Sequence, residues 1–195
     1  MDAPASAELF PHVRIVLGMV IGLAIARVLT GIAGLIQHPA QYRASLLHLL
    51  WVGSILFELV LFWWWEFALS RIGEWTFQVF VFLIAYAIAL YLLAALLFPD
   101  HIERYGGYQA FFLQRRRWFF GVFAVTFLFD VADTLIKGTE YWSRFSADYL
   151  VQVPIGLAIC LAGFMLRRPV QQIALAMAHI GYQIYWVGRI LHMAP

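Results

Sequence analysis

Residues 127–138 read FLFDVADTLIKG. On a helix, Asp130, Asp133, Thr134 and Lys137 stand at i, i+3, i+4 and i+7 and share one face. The stretch lies inside a long apolar run. Charged groups at membrane depth are costly, and by default they mark a functional site. The stripe therefore belongs in the polar interior of a helix bundle, and the rest of the chain is read outward from it.

The composition supports the membrane premise. Of the 195 residues, 64% are hydrophobic and 12% are charged, with a mean hydropathy of +0.81. Soluble domains carry about a quarter charged residues and just under half apolar ones. A chain this apolar needs lipid as its solvent. The net charge of +2 is small, and the basic residues sit between apolar runs. That argues against a nucleic-acid partner and for topology signals. The single cysteine, Cys160, lies in an apolar run and excludes a disulfide framework or a Cys-based metal motif. The N-terminus, MDAPASAELFPHV, lacks the basic segment of a signal peptide. The first apolar run is read as a retained helix.

Six runs reach the roughly 20 residues that a span needs: 11–36, 44–69, 74–98, 118–137, 147–167 and 170–192. The expected fold is an all-α, polytopic integral membrane bundle of six transmembrane helices in a single domain, 1–195. The connections 1–2, 3–4 and 5–6 hold Arg43, Arg104, Arg115, Arg116, Arg117, Arg167 and Arg168. The other side holds Arg14, Arg71, Lys137, Arg144 and Arg189. The positive-inside rule then puts the N and C termini on the outer side. The pattern resembles that of small bacterial inner-membrane proteins, so the expected location is the cytoplasmic (inner) membrane, multi-pass.

Depth follows from a rise of about 1.5 Å per residue. Glu58, Asp130, Arg27 and His179 fall in one midplane layer, and Tyr182 and Gln183 continue the stripe on the sixth helix. Two carboxylates there face one obligatory cation, Arg27. An unpaired buried carboxylate is not tolerated. Either a proton or a cation must supply the missing charge. Nearer the outside, Asp133, Thr134, Lys137, Gln152 and Glu66 form the wall of an outer vestibule. His48, Trp51, Ile55, Glu58 and Phe62 line one side of the second helix.

Each residue also has a plainer reading. Asp133 and Lys137 make a structural salt bridge. Arg27 with either carboxylate is an interhelical staple. His179 is a core histidine bonded to Tyr182 or another neighbour. Glu66 snorkels to water, and Trp63, Trp64 and Trp65 form a membrane belt. In the connection 99–117, the run YQAFFLQRRR is a stop signal with an interfacial anchor, or a lipid-headgroup site at Arg115, Arg116 and Arg117. TEYWSRF, residues 139–145, reads as an outer loop in the aromatic belt.

No metal-ligand spacing such as HExxH occurs. His179 and His192 share a haem-like spacing, but no second helix supplies a matching pair. No metal or other cofactor is expected. The first functional expectation is transport or conduction of a proton or small cation. The alternative is a non-transporting membrane sensor or partner subunit, with membrane lipids, a second copy or another membrane protein as partners. An enzyme acting on a lipid or quinone ranks third.

Overall fold

The computed structural model describes residues 6–38, 44–72 and 75–193. Arg43, the side chains of Arg71 and His192, and the expected start of the third span at 74 lie outside the described residues. Six helices follow one another: α1 Ser6–Gln37, α2 Leu46–Trp65, α3 Phe77–Ala95, α4 Tyr108–Ile136, α5 Thr139–Met165 and α6 Pro169–Met193. Short 3-10 turns, Glu66–Arg71 and Ile102–Tyr105, follow α2 and α3. Among the described residues there is no strand.

Five of the helices, α1 to α5, are long and apolar enough to cross a membrane. Their outward faces are apolar, as a membrane span requires. On α1, Leu17, Ile21, Ala24 and Val28 are buried at helical spacing, while Met19 and Leu23 stand 64% and 62% exposed on the other side. A helix apolar all round has no water-facing surface. The sixth helix differs. It buries Gln172, His179 and Gln183 and exposes Met177 and Ile184. Its polarity is turned inward, which lowers its hydropathy but suits a helix packed on a polar interior.

Two boundaries depart from expectation by more than two helical turns. The fourth helix starts at Tyr108, not near 118, and the fifth at Thr139, not near 147. Arginine is a good helix former, so the basic run at 115–117 continues the helix. TEYWSRF is likewise not a loop but the start of α5. Gly107 and Gly138 precede these helices with φ of 120° and 110°. L side chains rarely adopt that backbone, so glycine lets the chain turn sharply into each helix. Pro99 follows α3, and Thr76 caps its start by accepting from the Val79 amide at 3.3 Å.

Side-chain pairs give the directions. Ser54 meets His179 and Glu58 meets Gln183, so α2 and α6 run parallel. Lys137 at the end of α4 meets Glu66 just after α2. Asp148 early in α5 meets Arg189 late in α6, so those two run antiparallel. The second helix is central: it packs against α1, α3, α4 and α6. The fourth packs most closely on α5. There Gly156 and Gly163 lie under the rings of Phe127 and Phe120, where a Cβ would collide. Small residues allow such close approach between helices in lipid. The core centres on Trp51, 0% exposed, ringed by Phe112, Phe119, Phe120 and Phe123.

Candidate functional site

Where α2, α4 and α6 end, the bundle holds a buried ionic cluster. Lys137 Nζ donates to Asp133 Oδ2 one turn earlier in α4 and to Glu66 Oε1 at 3.1 Å. The side chains are 2%, 4% and 5% exposed. Glu66 therefore does not snorkel to water. The chain turns at its 3-10 segment and folds the carboxylate inward onto Lys137. The second oxygens, Asp133 Oδ1 and Glu66 Oε2, are buried and have no hydrogen-bond partner among the described residues.

A half-open cavity adjoins this cluster. Asp130, Asp133, Thr134 and Lys137 of α4 line one wall, and Gln152 of α5 lines another. Tyr149 also lines it; its hydroxyl bonds Thr134 Oγ1 at 2.6 Å and reaches the Asp130 carboxylate. Asp130 has no ion-pair partner among the described residues. Between α5 and α6, Arg189 holds Asp148 at 2.8 Å.

Deeper in the bundle lies a second polar set. Gln183 Nε2 donates to Glu58 Oε2 at 2.7 Å and to the Ser54 carbonyl at 3.2 Å. Ser54 Oγ bonds Gln183 Oε1 at 3.1 Å and His179 Nδ1 at 2.8 Å. His179 thus has a serine on α2 as its neighbour, and its ring lies 5.7 Å from that of Trp51. Glu58 and Asp130 lie within electrostatic reach of each other and of the buried Tyr86. The two sets therefore meet at Asp130 and Glu58. Beyond His179, the polar line ends at the Trp51 ring cluster. On the far side of that cluster, His48 Nε2 bonds the Leu97 carbonyl at 2.7 Å.

Arg27 does not join the midplane residues. Its guanidinium donates to Asp100 Oδ1 and to the Phe98 carbonyl, each at 2.7 Å, in the connection after α3. The reason is helix order: among the described residues, α1 packs mainly on α2 and α3. Arg27 beside Asp100 holds that carboxyl below its ordinary value through a hydrogen bond and charge attraction. Arg14, at the other end of α1, lies 4.3 Å over the Phe67 ring and 5.4 Å over Trp63. Arg115, Arg116 and Arg117 stand on the first turns of α4. Arg116 is close enough to Arg117 and Arg167 to be affected by their charge, Arg115 donates to the Tyr105 hydroxyl, and Arg117 lies over Phe164.

Among the described residues, the polar interior therefore holds Glu58, Glu66, Asp130 and Asp133 against Lys137 alone. Ionised together, they would leave a net three negative charges in a low-dielectric bundle. Such groups stay unpaired only with a bound proton or cation. Tyr182 sits half-buried beside His179, ring centroids 6.3 Å apart. Among the described residues no group of three His, Cys, Asp or Glu is arranged to hold a metal ion.

Ser54, Tyr86, Tyr149 and Asp148 escaped the sequence reading. Serine and tyrosine are unremarkable in apolar helices, and nothing along the chain marks which ones meet a charge. Asp148 falls at the edge of the expected fifth span, and nothing along the chain pairs it with Arg189, late in the next helix. No known family model matches the chain, and neither a curated protein nor a solved structure matches it.

Proposed function

We propose that this chain is a multi-pass protein of the cytoplasmic (inner) membrane that moves protons or a small cation through its bundle interior. Glu58 and Asp130 are the titrating carboxylates. Gln183, Ser54 and His179 extend the path inward, with Tyr182 beside it. Asp133, Thr134, Lys137, Glu66 and Gln152 form the outer vestibule. The sixth helix crosses with the other five: its 25 residues reach about 37 Å at 1.5 Å each, and its polar side faces protein. Both termini lie outside, because the arginine-rich end matches the cytoplasmic side.

The observation that carries this reading is the excess of carboxylates over Lys137 beside an open cavity. A structural lock needs one carboxylate per cation, and Lys137 already has two. The Trp51 cluster closes the path on one side, so passage requires those rings to move, as in a carrier that opens one side at a time.

The test is reconstitution in liposomes with an internal pH dye under an imposed potential, repeated with other small cations. Flux that is lost in Glu58→Gln or Asp130→Asn, with insertion retained, is the expected result. Wild-type flux in both variants, or tight liposomes for every ion, overturns it.

The packed Trp51 cluster also favours a second reading: a non-transporting sensor or partner subunit. The buried charges would then lock the helices, and Arg115, Arg116 and Arg117 would dock lipid headgroups or another membrane protein. The clustering of Arg116, Arg117 and Arg167 supports the lipid contact. A partner that co-purifies, together with tight liposomes, favours this reading over the first.

A further inference from the structure

The transport reading leaves the walls of the cavity unexplained. A proton or a hard inorganic cation needs oxygen ligands. Half of this lining is aromatic instead: Trp65, Tyr141, Phe145, Tyr149 and Trp186. Belt aromatics at a membrane surface face lipid. These face a cavity, and Trp186 is only 7% exposed.

We infer that the cavity binds a small organic ammonium ion, held by the Asp130 and Asp133 carboxylates and enclosed by these rings. Three observations carry the inference. Ring faces carry negative charge density and attract ammonium groups, most strongly where water is excluded. Asp130 has no cationic partner among the described residues, and the buried Asp133 Oδ1 has no donor. The site already holds one ammonium in this manner, because Lys137 Nζ sits between two carboxylates and 5.8 Å from the centre of the Tyr141 ring.

Size limits the ligand. The cavity volume is about 40 Å³, where one water needs roughly 10–15 Å³. An ion of a few heavy atoms fits; a large lipophilic cation does not. Gln152 and Thr134 offer acceptors for the remaining N–H groups. The inference rests on the transport reading for its purpose, since it names the class of cation carried, but binding is measured separately from flux.

The experiment titrates the purified protein in detergent with methylammonium and then with tetramethylammonium, at constant ionic strength. Trp65 and Trp186 report through their fluorescence. Sodium chloride and the neutral alcohol tert-butanol serve as comparison probes. A saturable response to the ammonium ions is expected, weakened at least about tenfold in Asp130→Asn and several-fold in Phe145→Leu. Phe145→Leu keeps every charge, so it tests the ring even where Asp130→Asn fails to fold. No saturable response, an equal response to sodium, or full binding in both variants overturns the inference. Proton flux without ammonium binding overturns the inference alone. Ammonium binding without flux of any ion overturns the transport reading and leaves the site standing.

Discussion

Lys137 Nζ lies 3.1 Å from Glu66 Oε1, a residue 71 positions earlier in the chain, while also donating to Asp133. One ammonium thus ties the end of α4 to the turn after α2. Breaking a buried pair by removing one partner leaves an uncompensated charge. Lys137→Met is expected to destabilise the protein by about 3–5 kcal/mol. Adding Asp133→Asn and Glu66→Gln to it is expected to recover most of that loss. Thermal unfolding in detergent, measured on the single and the triple variant, checks both. Equal Tm values for Lys137→Met and wild type would show that the cluster contributes nothing to folding.

The deep polar set gives a second expectation. Gln183 bonds both Glu58 and the Ser54 backbone, so it positions the carboxylate rather than titrating itself. Gln183→Leu removes three hydrogen bonds, each worth about 1 kcal/mol and more where a charge is involved. Carboxylate-dependent proton flux is expected to fall about tenfold or more, since 1.4 kcal/mol is a factor of ten. Gln183→Glu restores an acceptor but not the donor and is expected to stay slow. Liposome flux in the two variants, normalised to inserted protein, is the measurement.

The α4–α5 seam depends on two missing side chains. A Cβ at Gly156 would meet the Phe127 ring, and one at Gly163 the Phe120 ring. Overpacking of this kind costs about 1–3 kcal/mol. Gly163→Ala and Gly156→Ala are each expected to lower the Tm in detergent. Pairing Gly163→Ala with Phe120→Leu, which clears the space, is expected to restore part of it. The Gly121→Ala substitution, where nothing lies within 4 Å, serves as the neutral reference.

Local signals were legible in the sequence and distant ones were not. The apolar runs and the i, i+4 pairing of Asp133 with Lys137 follow from spacing within one helix. Thr134 and Gln152 share a cavity with Asp130, which depth alone puts in a separate, deeper layer. The partner of Lys137 just after α2 and the destination of Arg27 depend on which helices touch, and a single chain carries no such information. Arg27 and Asp100 are 73 positions apart, and only the packing of α1 on α3 brings them together. The starts of α4 and α5 are hidden for a different reason. Charges and aromatics are common in loops, but arginine also favours helices, and Gly107 and Gly138 are the true breaks. The carboxylate excess survives the loss of Arg27 from the layer, because Glu66 replaces water with Lys137 as its partner.

The Arg27–Asp100 pair yields a pH dependence whose sign can be worked out. Asp100 is exposed and its carboxyl is held below the ordinary value, first by the hydrogen bond from Arg27 and then by its charge. A carboxyl depressed in the folded state binds its proton more weakly there than in the unfolded chain, where its pKa is about 3.9. The pair therefore stabilises the fold above that value and loses its effect as pH falls through the lower folded value. Wild type is expected to melt slightly above Asp100→Asn at pH 7 and at pH 5, with the gap closing below about pH 4. High salt is expected to narrow the gap at neutral pH, because exposed pairs are screened. Arg27→Gln is expected to cost more than Asp100→Asn, since the guanidinium also holds the Phe98 carbonyl at the end of α3. Melting curves of the three proteins across pH and salt decide the matter. A gap that widens on acidification would mean that Asp100 is better placed neutral than ionised, and the pair would then have no stabilising role.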